Sequence, residues 1–225
     1  MRILQEAKTD FVFLVDVDFM PSSELALVAR GGMGSVIGES YRKYLALCKC
    51  GAVLVVPAFE MDENQTSVPR TRRDLETLWK QKIVKVFAEG YPKGHRRTNF
   101  RRWFNSSAPY VIQPENGFEP YIIALRTGLP LYDERFRGYG FNKVSHLHEV
   151  HYKGAVFIVL PDMFIIASKH EKSSSALHWR RSGRDQSPMN QRLRRQFLHE
   201  VDRRWGTSNN RRNDTRTCIA RANVL

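Results

Sequence analysis

The sequence predicts an α/β fold in which a mixed, mainly parallel sheet is flanked by helices. Runs at 11–15, 52–56, 121–125 and 155–160 are rich in Val, Ile and Phe and apolar throughout, as in strands covered on both faces. Stretches of helical periodicity alternate with them, the order that an α/β chain shows. With 225 residues, the chain can bury one substantial core.

The elements follow in order. Residues 1–8 form a short amphipathic helix pattern without the apolar centre of a signal peptide. The first strand, 11–15, runs into Asp16-Val17-Asp18-Phe19 and is bounded by Pro21, Ser22 and Ser23. A helix is expected over 22–30, with Ser22 or Ser23 as N-cap. Gly31-Gly32-Met33-Gly34 interrupts it; its spacing matches no phosphate-binding loop and it receives no phosphate role. A second helix covers 39–48, and the strand 52–56 stops at Pro57. Next comes a helix with Leu75, Leu78, Trp79, Ile83, Val86 and Phe87 on one face, a core-packing stripe.

From 90 to 120 the chain is long, irregular, aromatic and basic, which marks a functional loop region. After the strand 121–125 come a turn or short helix at 132–136 and a helix at 141–151. The strand 155–160 follows, with 164–167 close behind. Residues 173–188 are polar and rich in Ser and Arg. A final helix at 189–205 repeats Leu193, Phe197, Val201 and Trp205 at every fourth position. The organisation expected is a domain over 1–173, a polar linker with an amphipathic helix over 174–206, and a disordered basic tail over 207–225.

Composition bounds the partners. A formal net charge of +13 makes nucleic acid the first polyanion to consider. No helix-turn-helix, zinc-finger or RNA-recognition signature accompanies it, so no nucleic-acid partner is expected. The charge serves equally as a rim around an anionic diphosphate or acceptor, or as a solvated face. No stretch approaches the roughly 20 apolar residues of a membrane span. Cys48 and Cys50 are too close for easy bridging and have no matching Cys/His set, which argues against zinc. His148-Glu149-Val150-His151 is one residue short of zincin spacing, and with His146 reads as a polar helix surface. Asn-x-Ser/Thr sequons at Asn64, Asn105 and Asn213 lean gently towards a secretory lumen.

The chemistry concentrates at Asp16 and Asp18. Open α/β sheets bind ligands at the carboxyl ends of their strands. Two carboxylates there suit a Mg²⁺ or Mn²⁺ ion holding a diphosphate. Turn chemistry and helix capping use the same residues. Six blocks in order carry a more specific message: 13–22 (FLVDVDFMPS), 55–60 (VVPAFE), 98–103 (TNFRRW), 117–121 (GFEPY), 132–144 (YDERFRGYGFNKV) and 157–161 (FIVLP). Together they resemble the glucuronyltransferase domain of LARGE-type bifunctional glycosyltransferases and the related β-1,4-glucuronyltransferase, over residues 4–173.

That resemblance implies a GT-A fold, a Mn²⁺-bound UDP-sugar donor (Mg²⁺ being an alternative ion), and inverting transfer of a sugar, glucuronic acid, to a glycan or glycoprotein hydroxyl. It also implies the Golgi lumen, where the full-length relatives are type II membrane proteins. Asp16 and Asp18 match the metal-binding pair. The family's third ligand, a histidine after the FIVLP strand, aligns with Ala167, and His170 lies three residues on as a substitute. Glu119 is the candidate base, since inverting transfer needs a carboxylate to take the acceptor proton. Asp133 is its rival, and either suits orienting an acceptor hydroxyl instead. Arg97, Asn99, Asn142 and Lys143 are the donor- or acceptor-binding candidates, against surface readings of similar weight. The chain begins one helix before Asp-x-Asp, so the nucleotide-binding half of the fold is expected to be N-terminally truncated. The alternative is a non-catalytic relative that acts as a binding or partner protein.

Overall fold

The computed structural model describes residues 3–29, 36–62, 67–136, 141–168, 188–206 and 209–221. Strands β1 (Phe11–Phe13), β3 (Ala52–Val56), β6 (Tyr110–Ile112), β7 (Tyr121–Leu125) and β8 (Val156–Val159) form a five-stranded sheet in the order β1-β7-β3-β8-β6. Strands β2 (Phe19–Pro21), β4 (Ala58–Met61), β5 (Val84–Val86) and β9 (Ile165–Ser168) form a second sheet, β2-β9-β4-β5. The α/β class and the mixed sheets are as expected and compatible with a GT-A-like fold. The mainly parallel pairing is not: β3·β8 and β4·β9 are parallel, and the other five pairings are antiparallel. Continuous apolar character reports that both faces of a strand are covered, and carries no information on direction. The first strand, expected like the others to be covered on both faces in a mainly parallel sheet, is an edge strand that among the described residues pairs antiparallel with β7 alone.

The chain passes directly from the five-stranded sheet to the four-stranded one at three places, and returns through the longer connections from β2 to β3 and from β5 to β6. The direct crossings are the Asp-x-Asp turn between β1 and β2, Pro57 between β3 and β4, and residues 160–164 between β8 and β9. Proline has no N–H for a ladder and fixes φ, so Pro57 suits such a crossing; its carbonyl accepts from the Ile165 N–H at 3.0 Å.

Side-chain alternation along β3 and β8 divides the core. Val53, Val55, Phe157 and Val159 face one cluster with Leu75, Phe100, Trp103, Leu147 and Val150. Those residues come from helices α4 (Arg72–Lys80), α5 (Phe100–Asn105) and α6 (Asn142–Tyr152). Leu54, Val56 and Ile158 face the other, with Leu25, Leu47 and Ile219. Those three come from α2 (Ser23–Ala29), α3 (Val36–Lys49) and α8 (Asn209–Arg221). The remaining helices are α1 (Ile3–Glu6) and α7 (Pro188–Trp205).

Four local expectations need correcting. The stripe through Phe87 is not one helix: α4 ends at Lys80, Lys82 takes φ 60°, and Val84–Val86 returns as β5 against β4. The 90–120 region is ordered by two 3₁₀ turns, α5 and β6. The side chain of Arg72 holds part of it, donating to the carbonyls of Trp103, Phe104 and Ser106 at 2.8–3.0 Å and so satisfying the end of α5. His146 and Glu149 are not helix surface but 3% exposed each. Finally, the segment expected as a disordered tail contains α8, with Cys218 disulfide-bonded to Cys50 at a Cα–Cα distance of 5.6 Å. Thr215 and Arg211 of α8 sit against Gly51 (φ 95°) and Gly154 (φ 107°), positions where a Cβ would meet them at 3.1 and 2.9 Å. Cys48 remains a buried free thiol, its pKa pushed up to about 12 by burial.

Candidate active site

Asp16 and Asp18 occupy the turn that joins the two sheets. The Phe19 N–H donates to the Asp16 carbonyl at 3.2 Å and closes it. Asp16 is exposed, Asp18 half-buried, and Val17 between them lies fully in solvent. Across the turn stands Tyr121, the first residue of β7 and 1% exposed. Its phenol O–H donates to Asp16 Oδ2 at 2.6 Å. Lys143, in the first turn of α6, holds its ammonium 3.3 Å from the centre of the Tyr121 ring. The buried His95 ring lies parallel to that of Tyr121, with centroids 6.1 Å apart.

Glu119 completes the cluster. Its backbone N–H donates to the Gly94 carbonyl at 2.8 Å, and its side chain feels both Lys143 and Asp16. Burial raises its pKa, Lys143 opposes that rise, and Asp16 adds to it. The ammonium of Lys143 is lowered to about 8 by burial, against the pull of Asp16, Glu119 and Asp18. Burial, with the Lys143 charge beside it, pushes His95 down to about 3, which keeps its imidazole neutral. Tyr132 also senses the Asp16 charge, though burial is the main reason its phenol is raised to about 12. Four predicted residues, Asp16, Asp18, Glu119 and Lys143, therefore share one electrostatic environment drawn from three segments of chain.

The other candidates lie elsewhere or serve the fold. Asp133 is gripped by Arg135, which also pairs with Glu200 of α7, and its carboxyl is held below the usual range. These groups line a cavity of about 430 Å³ between segment 130–135 and α7. Arg97 is an exposed side chain 3.6 Å from Glu115, which the neighbouring Arg96 binds more closely. Asn99 is the N-cap of α5: it adopts φ 56° and its side-chain oxygen accepts from the Arg102 N–H at 3.1 Å. Asn142 opens α6, and its carbonyl accepts from Ser145 Oγ at 3.0 Å. His170 lies outside the described residues. Ala167 pairs with Phe19 across β2 and β9, one residue from Asp18, and is 2% exposed.

Among the described residues no group of three His, Cys, Asp or Glu side chains converges as a metal cage. A cation shared with a diphosphate needs less, because one or two carboxylates suffice when phosphate oxygens and water fill the other positions. The Asp16 and Asp18 pair meets that requirement. Tyr121, His95 and Tyr132 escaped the sequence reading. Tyr121 sat in view beside Glu119 and Pro120, yet a strand-opening aromatic carries no local sign that its hydroxyl reaches a carboxylate 105 positions away.

Comparison with known proteins fits this arrangement. The family model described as "Glycosyl-transferase for dystroglycan" matches residues 4–206. "Xylosyl- and glucuronyltransferase LARGE2" of Mus musculus is 34% identical over 206 residues, covering 91% of this chain and 28% of that protein. The Rattus norvegicus protein of the same name is 34% identical over 91% of this chain and 29% of its own length. "Xylosyl- and glucuronyltransferase LARGE1" of Homo sapiens is 32% identical over 90% of this chain and 26% of its own length. The chain thus spans less than a third of each of these relatives. With the family model matched over most of its length, the chain belongs to the glycosyltransferase family described as "Glycosyl-transferase for dystroglycan".

Proposed function

We propose that this chain carries the transfer site of a metal-dependent, inverting glycosyltransferase that moves a sugar, glucuronic acid, from a UDP-sugar to a glycan hydroxyl. The observation that carries the reading is the meeting of Asp16, Asp18, Glu119 and Lys143 around Tyr121, in a chain whose relatives are named xylosyl- and glucuronyltransferases. Asp16 and Asp18 would hold the divalent cation, Mn²⁺ or Mg²⁺, together with the donor diphosphate. The ion supplies positive charge against the negative charge that builds on the departing UDP.

Glu119 takes the proton of the acceptor hydroxyl as its oxygen bonds to the anomeric carbon and the bond to the diphosphate breaks. A carboxylate whose pKa is raised by burial is the better base, and Glu119 fits while Arg135-bound Asp133 does not. Lys143 remains cationic between the carboxylates and faces the leaving diphosphate or a uronate carboxylate. The Cys50–Cys218 disulfide supports work in an oxidising lumen, here the Golgi, because disulfides persist in such compartments. No helix among the described residues is long and apolar enough to cross a membrane.

Titrating UDP calorimetrically with and without Mn²⁺ tests the reading. Wild-type protein is expected to bind UDP in a Mn²⁺-dependent manner, and Asp18→Asn to lose that dependence while keeping its circular dichroism. Binding of equal strength in EDTA would remove the metal role. One observation favours a second reading, a donor-free relative that serves as a binding partner: the buried Ala167 beside Asp18, where the resemblance expects a histidine. Absence of UDP binding in a folded wild-type chain would support it.

A further inference from the structure

Asp16 follows a three-residue edge strand and its side chain is exposed, so neither strand pairing nor packing orients its carboxylate. The orienting group is Tyr121. Phe19 meets its ring at 4.8 Å, Phe87 at 6.2 Å and His95 at 6.1 Å, and Lys143 lies over its face. Its backbone is paired in register with Val56 of β3. The hydroxyl of this locked ring projects to the inter-sheet turn and meets Asp16 Oδ2 at 2.6 Å.

Packing does not explain the hydroxyl. A phenylalanine would fill the same space among Phe19, Phe87 and His95, and a buried hydroxyl costs free energy unless it finds a partner. The hydrogen bond recorded for this hydroxyl is the one to Asp16. It occupies one carboxylate oxygen and leaves the other available. Carboxylates that bind metal ions are commonly held in this way by outer hydrogen bonds, and loss of such a bond weakens metal affinity roughly 10–100-fold.

We infer that Tyr121 is a positioning residue for the cation-and-diphosphate site, its fixed phenol aiming the Asp16 carboxylate at the ion. The inference rests on the proposed function and adds the residue that pre-organises it. Tyr121 is buried and its hydroxyl bonds Asp16, so its effect passes through Asp16.

The test is Tyr121→Phe in the full chain, with Mn²⁺ binding followed by the EPR signal of the free ion in the presence of UDP. The ring contacts survive this change, and the released Asp16 carboxylate is exposed and regains water, so the melting temperature in EDTA stays near that of wild type. The Mn²⁺ dissociation constant is expected to rise about 10-fold. High Mn²⁺ restores UDP binding to Tyr121→Phe but not to Asp18→Asn, a split that a merely structural role would not produce. Unchanged or tighter Mn²⁺ binding in Tyr121→Phe, with wild type binding normally, overturns the positioning role alone. A wild-type chain that binds no Mn²⁺ with UDP overturns both this inference and the function on which it rests.

Discussion

Glu119 and Asp133 are both acidic, both lie in blocks of family resemblance, and their environments drive them in opposite directions. Burial lifts the Glu119 carboxyl, with Lys143 restraining the rise. The guanidinium of Arg135 holds Asp133 down. A base must be deprotonated to act, so activity falls as pH drops through the Glu119 pKa, which burial raises from its ordinary value. Glu119→Gln should lower turnover about 100-fold or more and abolish that acid limb, with little change in UDP affinity. Asp133→Asn should leave turnover and its pH profile close to wild type, and instead loosen the Arg135–Glu200 contact to α7. Steady-state rates across pH 4–8 on both variants check the pair; a larger loss in Asp133→Asn would exchange the two roles.

At the scale of elements, the sequence disclosed what depends on local pattern. Strands β3 and β7 fall at the residues predicted, and α7 begins within a residue of its predicted start, because uniform apolar runs and four-residue spacing are local signals. Four of the groups around Tyr121 were also legible as candidates, Asp16, Asp18, Glu119 and Lys143, since each stands in a block of resemblance. Tyr121 itself, the strand directions and α8 were not. Each depends on a partner distant in the chain: Asp16 for Tyr121, β7 for β1, and Cys50 for Cys218. The arginines of α8 suggested a solvated tail, while Ile219 in the core and the disulfide fasten it as a helix. A bridge between residues 168 apart closes a long loop in the unfolded chain. Cys218→Ser should therefore cost about 2–5 kcal/mol of stability, read as a lowered urea midpoint. Wild type treated with reductant should match it. A variant as stable as wild type would make Ile219 and the glycine seats the elements that retain α8.

For the whole molecule the question is what a net charge of +13 does. Part of it is neutralised within the fold: Arg72 pairs with Glu76 and Asp162, Arg96 and Arg97 with Glu115, Arg135 with Asp133 and Glu200, and Arg204 with Glu149. These cations are spent on loops and helix docking, so they do not form a ready-made track for a phosphate backbone. The remaining excess still raises the local concentration of any polyanion. Such attraction is long-ranged and screened, with a Debye length of about 8 Å at physiological ionic strength, whereas a cation shared between two carboxylates and a diphosphate is held at bonding distance. The two modes therefore separate by salt and by chelator. Binding of a single-stranded oligonucleotide should fall steeply as NaCl rises from 50 to 200 mM and ignore EDTA or Asp18→Asn. Mn²⁺-dependent UDP binding should change far less over that range and vanish with EDTA. Fluorescence anisotropy and calorimetry on the same protein measure both. Oligonucleotide binding that survived high salt and preferred one sequence would make nucleic acid a specific partner and move the function away from sugar transfer.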